Sequence, residues 1–281
     1  MRSVLVNSIE SYFASPQGPA RLYGYLRREG LPVTFLNLNH DAYSFLLSAE
    51  HLKELVGEAR PGLLAALSRE RCVRRQHGAM LYESSCGHIV PMLAGIIAGD
   101  ARRGGAWAKL PLASAAARAY ARRQLTHDRL AMVALSYADE LAEAVSAAQR
   151  RMDERYFSQP CEDFLADLPA LLCGKALIDL LFAPAQLSLG MGFCGTEWGI
   201  TAGDLIRAAH DERHNYLLPF YRSEVMPKLR ELQPGLVGLS ATHGAELIPV
   251  FTLAGLVRRE LPDAHVVLGG AAVADIRDRI A

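Results

Sequence analysis

Residues suited to holding a ligand recur at three places in this chain, each at the end of a short apolar run. Asn7 and Ser8 follow Arg2–Val6 and open a loop that reaches Gly18-Pro19. Ser240-Ala241-Thr242-His243-Gly244 ends the run Leu236-Val237-Gly238-Leu239, and Gly269-Gly270 ends His265-Val266-Val267-Leu268. Serine, threonine and asparagine supply short hydrogen bonds to ring nitrogens, amides or phosphates, and glycine lets a bulky group approach the backbone. That is the chemistry of recognition rather than of bond breaking. Tight turns of α/β folds use the same residues, so ligand contact and ordinary turn formation both stay open at this level.

Motifs for other chemistry are missing or incomplete. No GxGxxG and no GxxxxGK[ST] follows the first run, which disfavours a phosphate cradle for NAD or ATP. Ser188 lies in SLGMG and Ser240 in GLSAT, and neither is the GxSxG of a nucleophile elbow. His210 and His214 stand four apart, the spacing of zinc ligands on one helix face, but Asp211 replaces the glutamate of HExxH and no third ligand follows. A salt-bridged, solvated helix face is the simpler reading. His40-Asp41 reads as a helix start capped by Asp41 or Ser44. The run Arg71, Arg74, Arg75 and His77 lacks the interleaved aromatics of a nucleic-acid groove. Gly190–Gly199, with Cys194, Glu197 and Trp198, reads as an irregular connection or as a flexible loop over a ligand.

The elements that must position the three polar clusters lie at the two ends of the chain. Arg2–Val6 reads as a buried strand, Pro19–Glu29 as a helix stopped by Gly30, and Pro32–Leu38 as a second strand. Leu236–Ser240 and His265–Gly269 read as strands around an amphipathic helix Glu246–Leu261, with a further helix from Ala271 to Ile280. Near-continuous apolar strands alternating with helices imply a parallel sheet buried on both faces. The expected fold is α/β: a doubly wound, flavodoxin-like sheet of order 2-1-3-4 that lacks the usual fifth strand. Between the strand pairs, helical periodicity dominates: Ala42–Ala59, Pro61–Val73, Met80–Ile97, Leu110–Arg123, His127–Arg151, Cys161–Phe182, Ala202–Arg213 and Leu217–Leu232. The chain thus divides into residues 1–40 and 232–281, two halves of one α/β domain, around an all-helical insertion at 41–231. The missing fifth strand makes the chain read as the front part of something longer.

Composition narrows the partners. Thirty basic residues balance thirty acidic ones over 281 residues, leaving no net field to draw in nucleic acid or an anionic membrane. The five cysteines are widely spaced and form no CxxC or CxxxCxxC, which argues against a disulfide framework and a tight metal motif. No signal peptide or membrane-spanning run is evident, and the chain reads as cytoplasmic.

The string Leu232-Gln233-Pro234-Gly235-Leu236-Val237-Gly238-Leu239-Ser240-Ala241-Thr242-His243-Gly244-Ala245-Glu246-Leu247-Ile248-Pro249, continued by Thr252-Leu253-Ala254, Leu261-Pro262 and His265–Gly270, resembles the cobalamin-binding domains that precede radical S-adenosylmethionine barrels. Leu36-Asn37-Leu38-Asn39 and Tyr43–Ser48 resemble the same family near the other end. The resemblance implies a corrinoid held at the sheet edge, with its nucleotide tail against the strands. Carried over by position, Ser240, Thr242 and Gly244 would line the tail, Gly269 and Gly270 would admit it closely, and Asn7, Ser8 and the loop to Gly18 would close the other side. His243 would stand near cobalt or the corrin rim, or be an ordinary turn histidine. No DxHxxG supplies an axial histidine, and no CxxxCxxC supplies an iron–sulfur cluster. The resemblance therefore implies cobalamin binding as the front part of a radical enzyme, of the methyltransferase type, with no catalytic residue of its own. Cluster and S-adenosylmethionine would enter only with a barrel following in cis. The alternative is a stand-alone α/β binding or partner module without catalysis. A glycosyl- or nucleotide-transferring enzyme would need acidic metal ligands at a strand end, and none is found there.

Overall fold

A computed structural model of the chain describes residues 2–9, 17–57, 138–155, 161–182, 185–189, 192–195 and 201–280. The chain forms two compact units: Met1–Phe45 with Phe182–Ala281, and Leu46–Leu181. The expected helices Pro61–Val73, Met80–Ile97 and Leu110–Arg123, together with the basic run at 71–77, lie outside the described residues.

The first unit is built on four parallel strands. β1 (Ser3–Asn7) runs into the loop toward α1 (Gln17–Arg28), which returns the chain to β2 (Val33–Asn37). Gly30, at φ 75°, ends α1 in the left-handed conformation. Its N–H bonds to Arg27 O and the N–H of Leu31 to Leu26 O, the paired bonds of a Schellman motif that only glycine adopts without strain. β2 passes directly into α2 (Leu38–Leu46), four residues earlier than the expected start at Ala42. The cap is neither Asp41 nor Ser44 but Asn37, whose Oδ1 accepts the N–H of Asn39 at 3.3 Å.

At the other end, β5 (Leu236–Ser240) leads through a short 3₁₀ turn (Gly244–Glu246) into α8 (Leu247–Glu260), then β6 (His265–Gly269) and α9 (Ala271–Ile280). The strand order is β2-β1-β5-β6, all parallel, compatible with a flavodoxin-like sheet. Val4, Leu5 and Val6 are buried, so β1 is covered on both faces, as its unbroken apolar sequence demands. On β5, Val237 and Leu239 are sealed while Leu236, Gly238 and Ser240 are half-buried.

Residues 182–231, which helical periodicity groups with the insertion, pack within the sheet's unit, and they are not all helical. β3 (Ala185–Ser188) and β4 (Gly192–Gly195) form an antiparallel ribbon, correcting the expectation of an all-helical insertion. Four residues of alternating burial are too short a run to register as a strand pattern. Tertiary hydrogen bonds hold the ribbon instead: the Tyr43 hydroxyl donates to Ser188 O at 2.6 Å and the Tyr216 hydroxyl to Gln186 O at 3.2 Å.

α5 (Ala202–Ala209) begins at a capping box between Thr201 and Asp204. α6 (Leu217–Phe220) continues through a π turn (Tyr221–Val225) into α7 (Met226–Leu232). The buried amide of Asn215 ties these helices together. Its Nδ2 donates to Ala208 O, Ala209 O and Thr252 Oγ1, and its Oδ1 accepts the Leu217 N–H. A buried amide so fully paired carries no desolvation penalty.

In the second unit, α3 (Ala138–Arg155) and α4 (Cys161–Phe182) meet at Gly174. A Cβ there would stand 2.6 Å from Val145 Cγ1 and 2.9 Å from Leu47 Cδ2, so glycine is what lets the helices close. Arg151 Nε donates to Asp167 Oδ1 at 3.0 Å, and Lys175 pairs with the buried Asp179. Among the described residues, no helix is long and apolar enough to cross a membrane.

Candidate functional site at the carboxyl edge of the parallel sheet

In parallel strands that share a register, residues opposite one another point to the same face. The last row of this sheet is Asn37–Asn7–Ser240–Gly269, one residue from each strand in spatial order. A row of two amides, a hydroxyl and a glycine ends the strands, where Leu36, Val6, Leu239 and Leu268 form the row before it. Asn7 Nδ2 donates to Asn37 Oδ1 at 3.1 Å, which joins the α2 cap to the central strand. Between β1 and β5 the chain reverses its direction of winding: β1 is followed outward by β2 on one side, and β5 by β6 on the other. Ligands of open α/β sheets bind at this reversal, beyond the carboxyl ends of the strands.

The loop after β5 is held by a buried glutamate. Glu246, 1% exposed, brings one carboxylate oxygen, Oε1, to the Thr242 N–H at 3.1 Å, the Thr242 hydroxyl at 2.7 Å and the His243 N–H at 2.9 Å. Thr242 is half-buried, and His243 and Gly244 are exposed.

The glycines of the edge divide into two kinds. Among the described residues, Gly18, Gly244 and Gly269 have nothing within 4 Å of a built Cβ, so the space beside their backbones is open there. Gly270 is different. It sits at φ 107°, and a Cβ there would overlap the carbonyl group of Ala241, 2.7 Å from its carbon. Ala241 N–H donates to Gly269 O at 2.8 Å and Ala272 N–H to Ala241 O at 3.2 Å, so the ends of β5 and β6 clasp each other here. The close approach that Gly270 permits is that of its own chain.

Ser8, one residue beyond the row, is 4% exposed. Its hydroxyl lies within hydrogen-bonding reach of the Tyr221 phenol. Tyr221 is buried at the first position of the π turn, and burial pushes its phenol above the usual tyrosine range, reinforced by the Glu246 carboxylate. π turns inside helices recur at functional sites because they displace a side chain from the helical register.

The structure thus gathers Asn7, Ser8, Ser240, Thr242 and Gly269 at one edge, with Gly244 in the loop beyond. Asn37, Tyr221 and Glu246 join them, and sequence reasoning missed all three. Glu246 stands three residues after His243 and four after Thr242 at a helix start, a spacing close to a capping box; Tyr221 carries no local signal. No protein-family model, curated protein or solved structure matches this chain.

The other polar groups have local partners. α5 ends at Ala209, not at the expected Arg213, so His210 is its C-cap and does not share a helix face with His214. His210 Nδ1 bonds to Ile206 O at 2.8 Å and His214 Nδ1 to Asp211 Oδ2 at 2.8 Å. Among the described residues no group of three His, Cys, Asp or Glu could hold a metal ion. Asp41, within the first turn of α2, pairs with Lys228 at 3.4 Å, and His40 Nδ1 lies 3.4 Å from Ser44 Oγ.

Proposed function

We propose that this sheet edge binds a corrinoid, and that the chain is the cobalamin-binding front portion of a radical S-adenosylmethionine enzyme of the methyltransferase type. The observation that carries the reading is the in-register row Asn37–Asn7–Ser240–Gly269 at the winding reversal, on strands whose sequences resemble those domains. The residues fit the group in three respects. Gly244 and Gly269 leave open space for a bulky heterocycle. Asn7, Ser240 and Thr242 offer hydrogen bonds along the edge. Ser8 presents a buried hydroxyl beside the Tyr221 phenol.

In this reading the protein binds, orients and excludes water. Ser240 and Thr242 would flank the tail from β5, Asn7 and Ser8 from β1, and Gly269 would admit it against β6. The Asn7–Asn37 and Thr242–Glu246 bonds fix those side chains before the ligand arrives, which lowers the ordering cost of binding. His243, exposed at the loop, would be the residue available to the corrin rim. Gly270 needs to be glycine for its own turn against Ala241, whatever it contributes to the ligand. Cobalamin supplies the methyl-transferring chemistry when bound. The iron–sulfur cluster and S-adenosylmethionine need a CxxxCxxC that these 281 residues do not contain, so catalysis calls for a barrel domain acting with this one. The same lack favours a second reading, a binding module that delivers its ligand to a separate enzyme.

Equilibrium dialysis of the purified chain against hydroxocobalamin tests the reading. Retention of one corrinoid per chain supports it. No retention at any protein concentration, with or without a barrel domain supplied in trans, removes it.

A further inference from the structure

The residues that β1 brings to this edge are sealed. Asn7, Ser8 and Ile9 are 3%, 4% and 1% exposed, whereas Gly244 and Gly269 face open space among the described residues. A ligand that is to touch Asn7 and Ser8 therefore needs part of the fold to move aside. β1 is held in place, paired with β2 on one side and β5 on the other.

The β3–β4 ribbon is not so held. It lies outside the four-stranded sheet and consists of two strands of four residues, and a two-stranded pair of that size is marginal in water by itself. Its ties run to the two flanks of the β1 end. On one flank Ser188 O accepts the hydroxyl of Tyr43 at 2.6 Å, from α2, the helix that follows β2 directly. On the other, β4 lies against the 3₁₀ turn Gly244–Glu246, which follows β5. β1 ends between those two strands. A further tie, from the Tyr216 hydroxyl to Gln186 O at 3.2 Å, comes from the start of α6. We propose that the ribbon is a strap across the carboxyl end of β1, latched by Tyr43 and Tyr216, which lifts before a ligand reaches Asn7 and Ser8. The inference rests on the reading of this edge as a binding site, and it adds how that site is regulated.

The latch has the strength such a device needs. Both tyrosine bonds join a neutral hydroxyl to a neutral carbonyl, the weaker class of hydrogen bond. Ala185 and Leu187 are fully buried, so the apolar side of β3 returns the strap to its closed position. Segments that open locally ahead of the whole fold are the ones from which binding lids are drawn. A chain that binds only when open shows its ligand an affinity reduced by the open fraction. Loosening the latch therefore tightens binding.

Amide hydrogen exchange of the full chain tests the strap without a ligand. Tyr43→Phe, Tyr216→Phe and the double variant keep the rings and remove the hydroxyls. In them, exchange at Ser8, Ile9, Leu187 and Ser188 is expected to rise by about tenfold or more beyond any rise at Val237 and Leu239, which report unfolding of the sheet. Circular dichroism selects the folded variants, and Tyr216→Phe, which gives up the longer bond, serves if the double variant does not fold. An equal rise at all these amides, or none at Ser8 and Ile9, overturns the proposal. Hydroxocobalamin is the second probe, and its apparent affinity is expected to be about threefold or more higher for the loosened variants. Unchanged or weaker binding by a variant whose strap has loosened also overturns it. If exchange picks out the ribbon and the β1 end together while hydroxocobalamin binds neither wild type nor variant, the corrinoid reading fails and the strap stands.

Discussion

Gly270 and Ala241 occupy nearly the same space: a Cβ on Gly270 would stand 2.7 Å from the Ala241 carbonyl carbon and 3.0 Å from its nitrogen. Among the described residues, a Cβ on the neighbouring Gly269 would meet nothing within 4 Å. Gly270→Ala is therefore expected to cost about 2–4 kcal/mol, combining positive-φ strain with a clash against backbone that cannot move aside. Gly269→Ala should change stability by less than about 1 kcal/mol. Urea denaturation of the two variants checks the contrast.

Asn37 does two jobs with one oxygen, accepting from Asn39 N–H and from Asn7 Nδ2. Asn37→Ala removes the cap of α2 and strands the buried Asn7 amide, an expected loss of about 1–3 kcal/mol. Asn37→Asp keeps both acceptor bonds and should lose less than half as much. Thermal unfolding of the pair gives the answer.

Glu246→Ala releases three donors at once and is expected to destabilise the unit by about 2–4 kcal/mol. Hydrogen exchange at Thr242 and His243 should rise by more than the global loss explains, because their acceptor is gone. Equal exchange in the variant and the wild type would show that the loop holds its form without the carboxylate.

How far the sequence leads is clearest element by element. Leu236–Ser240 and His265–Gly269 are legible as parallel strands because each is a short β-branched or aliphatic run followed by a helix, although β6 is left partly exposed, with Val267 at the surface. Gly30 is legible as a stop because its left-handed conformation favours glycine. The β3–β4 ribbon is not legible, since Ala185–Ser188 is short and held by Tyr43 and Tyr216 from distant elements. At the site, Asn7, Ser8 and Ser240 are legible by their place at strand ends. Tyr221 is not, because in sequence it is one more aromatic in a helix, and only the fold brings it beside Ser8. Gly270 shows a use of the Gly-Gly that the strand pattern does not reveal: it lets the chain's own turn close against Ala241.

His51, 4% exposed in the second unit, has its pKa pushed down by burial to about 4. Between about pH 6.5 and 4 the unfolded chain binds a proton that the native chain refuses, so stability is full above that window and falls as pH drops through it. The loss approaches about 3 kcal/mol near pH 4. Urea midpoints measured from neutral pH downward should show this slope, and His51→Leu should flatten it.

The central claim is that a corrinoid sits at the carboxyl edge of β1, β5 and β6, against the open side of Gly269. The most direct measurement is the visible spectrum of hydroxocobalamin titrated with the wild-type chain and with Gly269→Leu, after circular dichroism shows both folded. The account predicts a saturable spectral change with the wild type, weakened by about tenfold or more when leucine fills the space. A spectral change of equal affinity in both chains, or none in the wild type, would contradict it.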